Sequence, residues 1–84
     1  MASGFPTFGG NQPGSTNWNY AQQHWNQVQS VRALLLLAGA WDQPRGANWD
    51  LTDYNALVWY QQQEGITADG VVGTVTYNHL LSLA

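Results

Sequence analysis

The chain has no cysteine and no lysine, and Arg32 and Arg45 are its only permanent cations. No disulfide and no thiolate-held metal can therefore staple the fold. Nucleic acid is excluded as a partner, because affinity for it comes largely from cations set against phosphates. Anionic membrane surfaces are excluded on the same ground. Charge of either sign is scarce: charged residues make up 8% of the chain and the formal net charge is −3. Long hydrophobic runs are missing too. The one apolar stretch, Ala33 to Ala38, is far too short to span a bilayer. Residues 1–14 lack the basic start and apolar run of a signal peptide.

What is present is aromatic and neutral. With 84 residues the chain holds a single domain. A domain this small buries a modest share of its unfolded surface, so its core must use large side chains. Five Trp, four Tyr and two Phe supply them. Surface polarity comes mostly from Asn and Gln, which suits a neutral polar partner such as a glycan or another protein.

Residues 1–16 read as an extended arm rich in Gly and Pro. Phe5 and Phe8 interrupt that composition. They either fold back onto the domain or anchor the arm on a partner, with Trp18 beside them; partner anchoring is the expectation carried forward. Residues 17–84 read as the domain. Trp18, Ala21, Trp25, Val28, Val31, Leu35 and Ala38 recur at spacings of three and four, which predicts one long amphipathic helix over 17–38. Its weakest stretch is Gln27 to Ser30, and Gly39 ends it. A loop over 40–50 carries Trp41, Pro44, Gly46 and Trp49.

A second helix starts near Leu51 with Asp50 as cap and Asp53 at the positive end of the dipole. It ends at Gly65, with Ile66 placed for a Schellman contact. Asp69-Gly70 signals a turn, and Val71-Val72 suffices only for a bridge or a short extended pair. A third helix covers about 74–83, with Tyr77, Leu80, Leu81 and Ala84 on its inner face. Tyr54-Asn55-Ala56-Leu57 is echoed by Tyr77-Asn78-His79-Leu80, and both copies open a helix. Leu57 and Leu80 should therefore both be buried.

The run Ala56-Leu57-Val58-Trp59-Tyr60-Gln61, then Gly65-Ile66, Asp69-Gly70, Gly73, Thr76 and Leu80, resembles the second half of the peptidoglycan-binding domain family. Val31-Arg32-Ala33-Leu34, Leu37 and Gly39 look like that family's first helix. The resemblance implies an all-α, three-helix peptidoglycan-binding-like domain, to which the composition of residues 1–16 adds an extended N-terminal arm. It also implies that a glycan would meet the turn at Asp69, Gly70 and Gly73 and the neighbouring aromatics Trp49 and Tyr77. The chain departs from the family before its second helix, where Gly46-Ala47-Asn48-Trp49-Asp50 replaces an earlier Asp-Gly loop.

No constellation points to catalysis. His24 and His79 fall on different predicted helices without metal-ligand spacing. The acids sit in loops or at helix ends, where capping accounts for them. Asp69-Gly70-Val71-Val72-Gly73 lacks the lysine of a phosphate loop. No metal and no cofactor are expected, and no enzymatic activity. The expected function is that of a non-catalytic structural and binding protein: a small bacteriophage virion decoration or minor capsid protein. Its partners would be capsid or other virion subunits, held through Phe5, Phe8 and Trp18, with peptidoglycan as a further partner. The alternative is a cell-wall binding module of a lytic or wall-remodelling system, acting outside the cell.

Overall fold

The computed structural model describes residues 7–41 and 48–83. In chain order these form β1 (Phe8–Gly9), α1 (Thr16–Gln23), α2 (Trp25–Leu37), α3 (Leu51–Glu64), β2 (Val71–Val72) and α4 (Thr74–Leu81). The two strands pair antiparallel, Phe8 opposite Val72 and Gly9 opposite Val71. Among the described residues no helix is long and apolar enough to cross a membrane.

The domain is mostly helical, as the periodicity predicts, but it has four helices among the described residues and not three. The long first helix breaks at His24, upstream of the weak stretch at Gln27 to Ser30. The cause is local. The His24 ring stacks on the Tyr20 ring, with centroids 3.7 Å apart and planes 7° from parallel. Its Nδ1 donates to the Tyr20 carbonyl at 2.7 Å. That carbonyl is the one an uninterrupted helix would offer to the His24 amide. The amide turns instead to the Ala21 carbonyl at 3.2 Å, and His24 leaves the helical region at φ −130°, ψ 58°. The break rotates the face of α2, so Trp25, expected in the core stripe, is 55% exposed. Ser15 caps α1 by accepting from the Trp18 amide at 3.2 Å.

The start of α3 follows its sequence closely. Asp50 accepts from the amides of Thr52 and Asp53 while Asp53 accepts from the Asp50 amide, a reciprocal capping box. Gly65 ends the helix at φ 71°, and the Ile66 amide returns to the Gln61 carbonyl at 3.1 Å.

Core residues come from every element: Phe8, Ala21, Val28, Val31, Leu35, Trp49, Leu57, Tyr60, Val72 and Leu80 are all buried. Leu57 and Leu80 lie inside, as the repeated tetrapeptide implies. Leu81, expected on the inner face of α4, is 45% exposed. The N-terminal arm is the larger correction. Phe8, expected to anchor a partner, is 1% exposed within the chain's own core. It stacks on Tyr20 and meets Trp49 edge-on, both at 6.0 Å. Burial of its ring and pairing with Val72 offset the cost of ordering this Gly-rich segment. Residues 7–10 thus belong to the fold. Trp18 is half-buried against the same core, and Phe5 lies outside the described residues.

Among the described residues one ion pair is wholly buried. Arg32 donates through Nε to Asp53 Oδ1 at 2.7 Å and through Nη2 to Asp53 Oδ2 at 2.9 Å, and both side chains are fully enclosed. Arg32 Nη2 also reaches the Asn48 carbonyl at 2.9 Å. Removing one member of such a pair leaves its partner's charge buried. Asp53→Ala should cost about 3–5 kcal/mol in a urea melt, against roughly 0.5 kcal/mol or less for an exposed substitution such as Gln62→Ala. Tyr60 offers the opposite case. Its hydroxyl is buried with no hydrogen-bond partner among the described residues. Burial, and then the nearby Glu64 carboxylate, raise its pKa above the ordinary 10.0. Tyr60→Phe should therefore stabilise the fold by about 1 kcal/mol. Below the ordinary tyrosine pKa the Tyr60 proton costs nothing to keep. As pH rises beyond it the unfolded chain ionises first, so wild type should lose stability there and the Phe variant should lose less.

Candidate functional site

The turn between α3 and α4 is organised by a single carboxamide. Gln61 lies one turn from the end of α3 and is fully buried. Its Nε2 reaches Asp69 Oδ1, the Val71 carbonyl and Thr76 Oγ1, each at 3.1 Å. Its Oε1 accepts from the Gly70 amide at 2.9 Å. Asp69 Oδ1 also accepts from the Val71 amide at 3.0 Å, closing an Asx-turn. A buried amide this fully bonded fixes the path of the chain from Asp69 to Thr76. The Gln, Asp-Gly and Thr positions noted in the sequence are thus joined in one network. Thr76 thereby bonds to Gln61 across the helix pair.

Gly70 takes φ 69° and lies against the Tyr54 ring, where a Cβ would collide with the aromatic carbons. Its carbonyl accepts from the Gly10 amide at 2.8 Å. The turn is thereby tied to the N-terminal strand, and Trp49 locks the joint. Trp49 Nε1 donates to the Gly10 carbonyl at 3.0 Å, and the Trp49 carbonyl accepts from Gln22 Nε2 at 2.7 Å. A Cβ on Gly9 would stand 2.8 Å from Trp49 Cζ2, so this ring is packed directly on strand backbone.

Five residues were expected at a glycan site, and the structure separates them. Trp49 is 2% exposed, so its ring serves the core and offers no face to a sugar. Gly70 is buried behind the turn. Tyr77 is half-buried against the core. Asp69 and Gly73 do come together, on the wall of an open groove of about 340 Å³. Thr7, Ile66, Thr67, Val71, Thr74, Val75 and Thr76 complete its lining. The four threonines and Asp69 give the groove donors and acceptors, while Ile66, Val71 and Val75 give it apolar surface. Thr7, Thr67, Thr74 and Val75 were not singled out from the sequence. Their proximity in sequence to the Asp-Gly turn was the available signal for three of them, but nothing local brings Thr7 there.

The histidines stand apart from this groove. His24 is engaged at the α1–α2 break, and His79 Nδ1 meets Glu64 Oε1 at 3.0 Å between α4 and α3. Among the described residues no three His, Cys, Asp or Glu side chains gather as a metal site would need. The chemistry on offer is hydrogen bonding to neutral polar groups beside a small apolar wall.

If Gln61 fixes the turn, Gln61→Leu should orphan the buried Gly70 amide and cost about 1–3 kcal/mol. Amide exchange at Gly70 and Val71 should quicken more than at core positions of α2, as measured by hydrogen-exchange NMR. Compared with family models, curated proteins and solved structures, the chain matches none, so the site is defined by its own geometry.

Proposed function

We propose that the protein is a non-catalytic binding module whose groove beside the Asp69–Gly73 turn takes a neutral, hydroxyl- and amide-rich polymer of the bacterial cell wall. The observation that carries this reading is the position of the groove. It opens on the turn that resembles the signature of peptidoglycan-binding domains, and threonine hydroxyls line it. Such hydroxyls both donate and accept, which matches the mixed sugar and peptide groups of peptidoglycan. The groove lining has no Lys, Arg or His, so binding would owe little to charge and would tolerate salt.

A second reading, a small structural protein of a phage particle, draws on a different surface. Leu37 at the end of α2 is 66% exposed and Trp41 just after it is 52% exposed. Trp41 stands 6.0 Å from Trp59 at a tilted angle. Exposed Trp is enriched at protein interfaces. This reading no longer draws on the arm, since Phe8 is consumed by the chain's own core.

Sedimentation with purified cell walls tests the first reading. Val75 is 61% exposed on the groove wall, so Val75→Arg fills the groove without touching the core. It should lower wall affinity about ten-fold, equivalent to about 1.4 kcal/mol, with an unchanged urea midpoint. Wild-type pelleting should be the same at low and high salt. Equal pelleting of wild type and Val75→Arg would remove the groove as the binding site. Under the second reading, Leu37→Ser with Trp41→Ser should reduce occupancy on assembled particles while leaving wall binding intact.

A further inference from the structure

The break at His24 is poorly supported by the sequence on either side of it. The apolar positions Trp18, Ala21, Trp25, Val28 and Val31 keep helical spacing straight through it. No Gly or Pro stands there, and His24 has a negative φ. His24, at the N-cap of α2, makes no side-chain capping bond to the first amides of that helix. Trp25, next to the break, is left 55% exposed although it falls on the apolar stripe. The kinked form is held by the imidazole's stack and bond on Tyr20 and by the docking of β1 and α1 on the remaining elements. That docking consists of contacts from residues before the break to residues after it: Phe8 with Val72 and Trp49, Gly10 with Gly70 and Trp49, Gln22 with Trp49.

Each of these contacts can be made equally well by another copy of the same chain. We propose that β1 and α1 exchange between two copies, with His24 as the hinge. When the hinge straightens, α1 and α2 join into one helix over 16–37. The Tyr20 carbonyl then accepts the residue-24 amide, and the first amides of α2 gain helical acceptors. Trp25 joins the face that carries Ala21 and Val28. The displaced segment docks Phe8 beside Val72 and Trp49 of the other copy, rebuilding the same strand pair. Exchange of this kind needs little beyond a hinge, because the interface already exists within one chain. It also makes the groove composite, since Thr7 on its wall would come from the second copy. The proposal stands independently of the ligand assigned to that groove.

The full chain tests it through a pair of hinge variants. His24→Ala and His24→Gly both remove the imidazole, so both lose its bond and stack on Tyr20 equally. They differ in the preference of residue 24 for a continuous helix. Each hinge should shift the monomer–dimer equilibrium about five-fold between Ala and Gly, and a dimer holds two, giving about twenty-five-fold tighter association for the Ala variant. Sedimentation equilibrium after refolding from urea at high protein concentration reads this directly. Isotope-filtered NMR of a dimer mixed from labelled and unlabelled chains should show Phe8–Val72 contacts between chains. Trp25→Ser serves as a second variant that keeps the hinge residue: dimer affinity should fall while the monomer's urea midpoint holds. Equal association of the Ala and Gly variants, persistence of all forms as monomers, or Phe8–Val72 contacts confined to one chain within the dimer would each overturn the exchange.

Discussion

The enclosed pair of Arg32 and Asp53 is the constraint to which the other long-range contacts connect. A bidentate guanidinium–carboxylate contact is directional, and inside a low-dielectric core it tolerates little displacement. It sets α2 against the first turn of α3. Asp53 also accepts from the Asp50 amide in the capping box, and Arg32 also holds the Asn48 carbonyl. Trp49 lies between those two anchored residues, so its backbone is pinned on both sides. The pinned indole then holds Gly10, Gly10 holds Gly70, and Gly70 bonds to Gln61. A short path of hydrogen bonds therefore runs from the ion pair to the groove, through groups that are almost all buried.

How legible this was depended on how local each feature is. The start of α3, its glycine stop, the Asp-Gly turn and the short Val71-Val72 strand are each decided by residues within a few positions of one another. Capping and turn chemistry therefore identify them in the sequence. Leu57 and Leu80 were legible because the repeated tetrapeptide sets them at matching positions. The break at His24 was hidden because a ring stack and a side-chain bond to a backbone carbonyl override an unbroken apolar stripe. Phe8 and Trp49 were assigned outward roles because composition cannot show that a Gly-rich segment returns to pair with a strand more than sixty positions away. The groove was half legible. Asp69 and Gly73 lie in the recognisable turn, whereas Thr7 arrives only through that long-range pairing.

Arg32 is the one permanent cation among the described residues, and the fold consumes it completely. Among the described residues no permanent cation is left at the surface to line the groove, whose walls offer directed hydrogen bonds and apolar shape instead. Threonine suits such directed bonding better than a long charged side chain. Its branched Cβ restricts the hydroxyl to few rotamers, so little entropy is lost when a ligand bonds to it. The backbone that carries Thr76 is in turn held by the Gln61 network, which gives this wall a fixed geometry before any ligand arrives.

The opposite wall is held differently. Thr7 directly precedes Phe8, whose ring is sealed in the core, and stands one residue before β1, which is paired over only two residues. Whatever occupies the groove and touches Thr7 together with Thr74 or Val75 bridges the N-terminal strand and α4. Such a ligand binds the docked strand and has less to hold when the strand is undocked. By linkage it must then stabilise docking by the same free energy that docking adds to its binding. The groove thus lies between a short N-terminal segment fastened through Phe8, Gly9 and Gly10 and the turn that the Gln61 network holds.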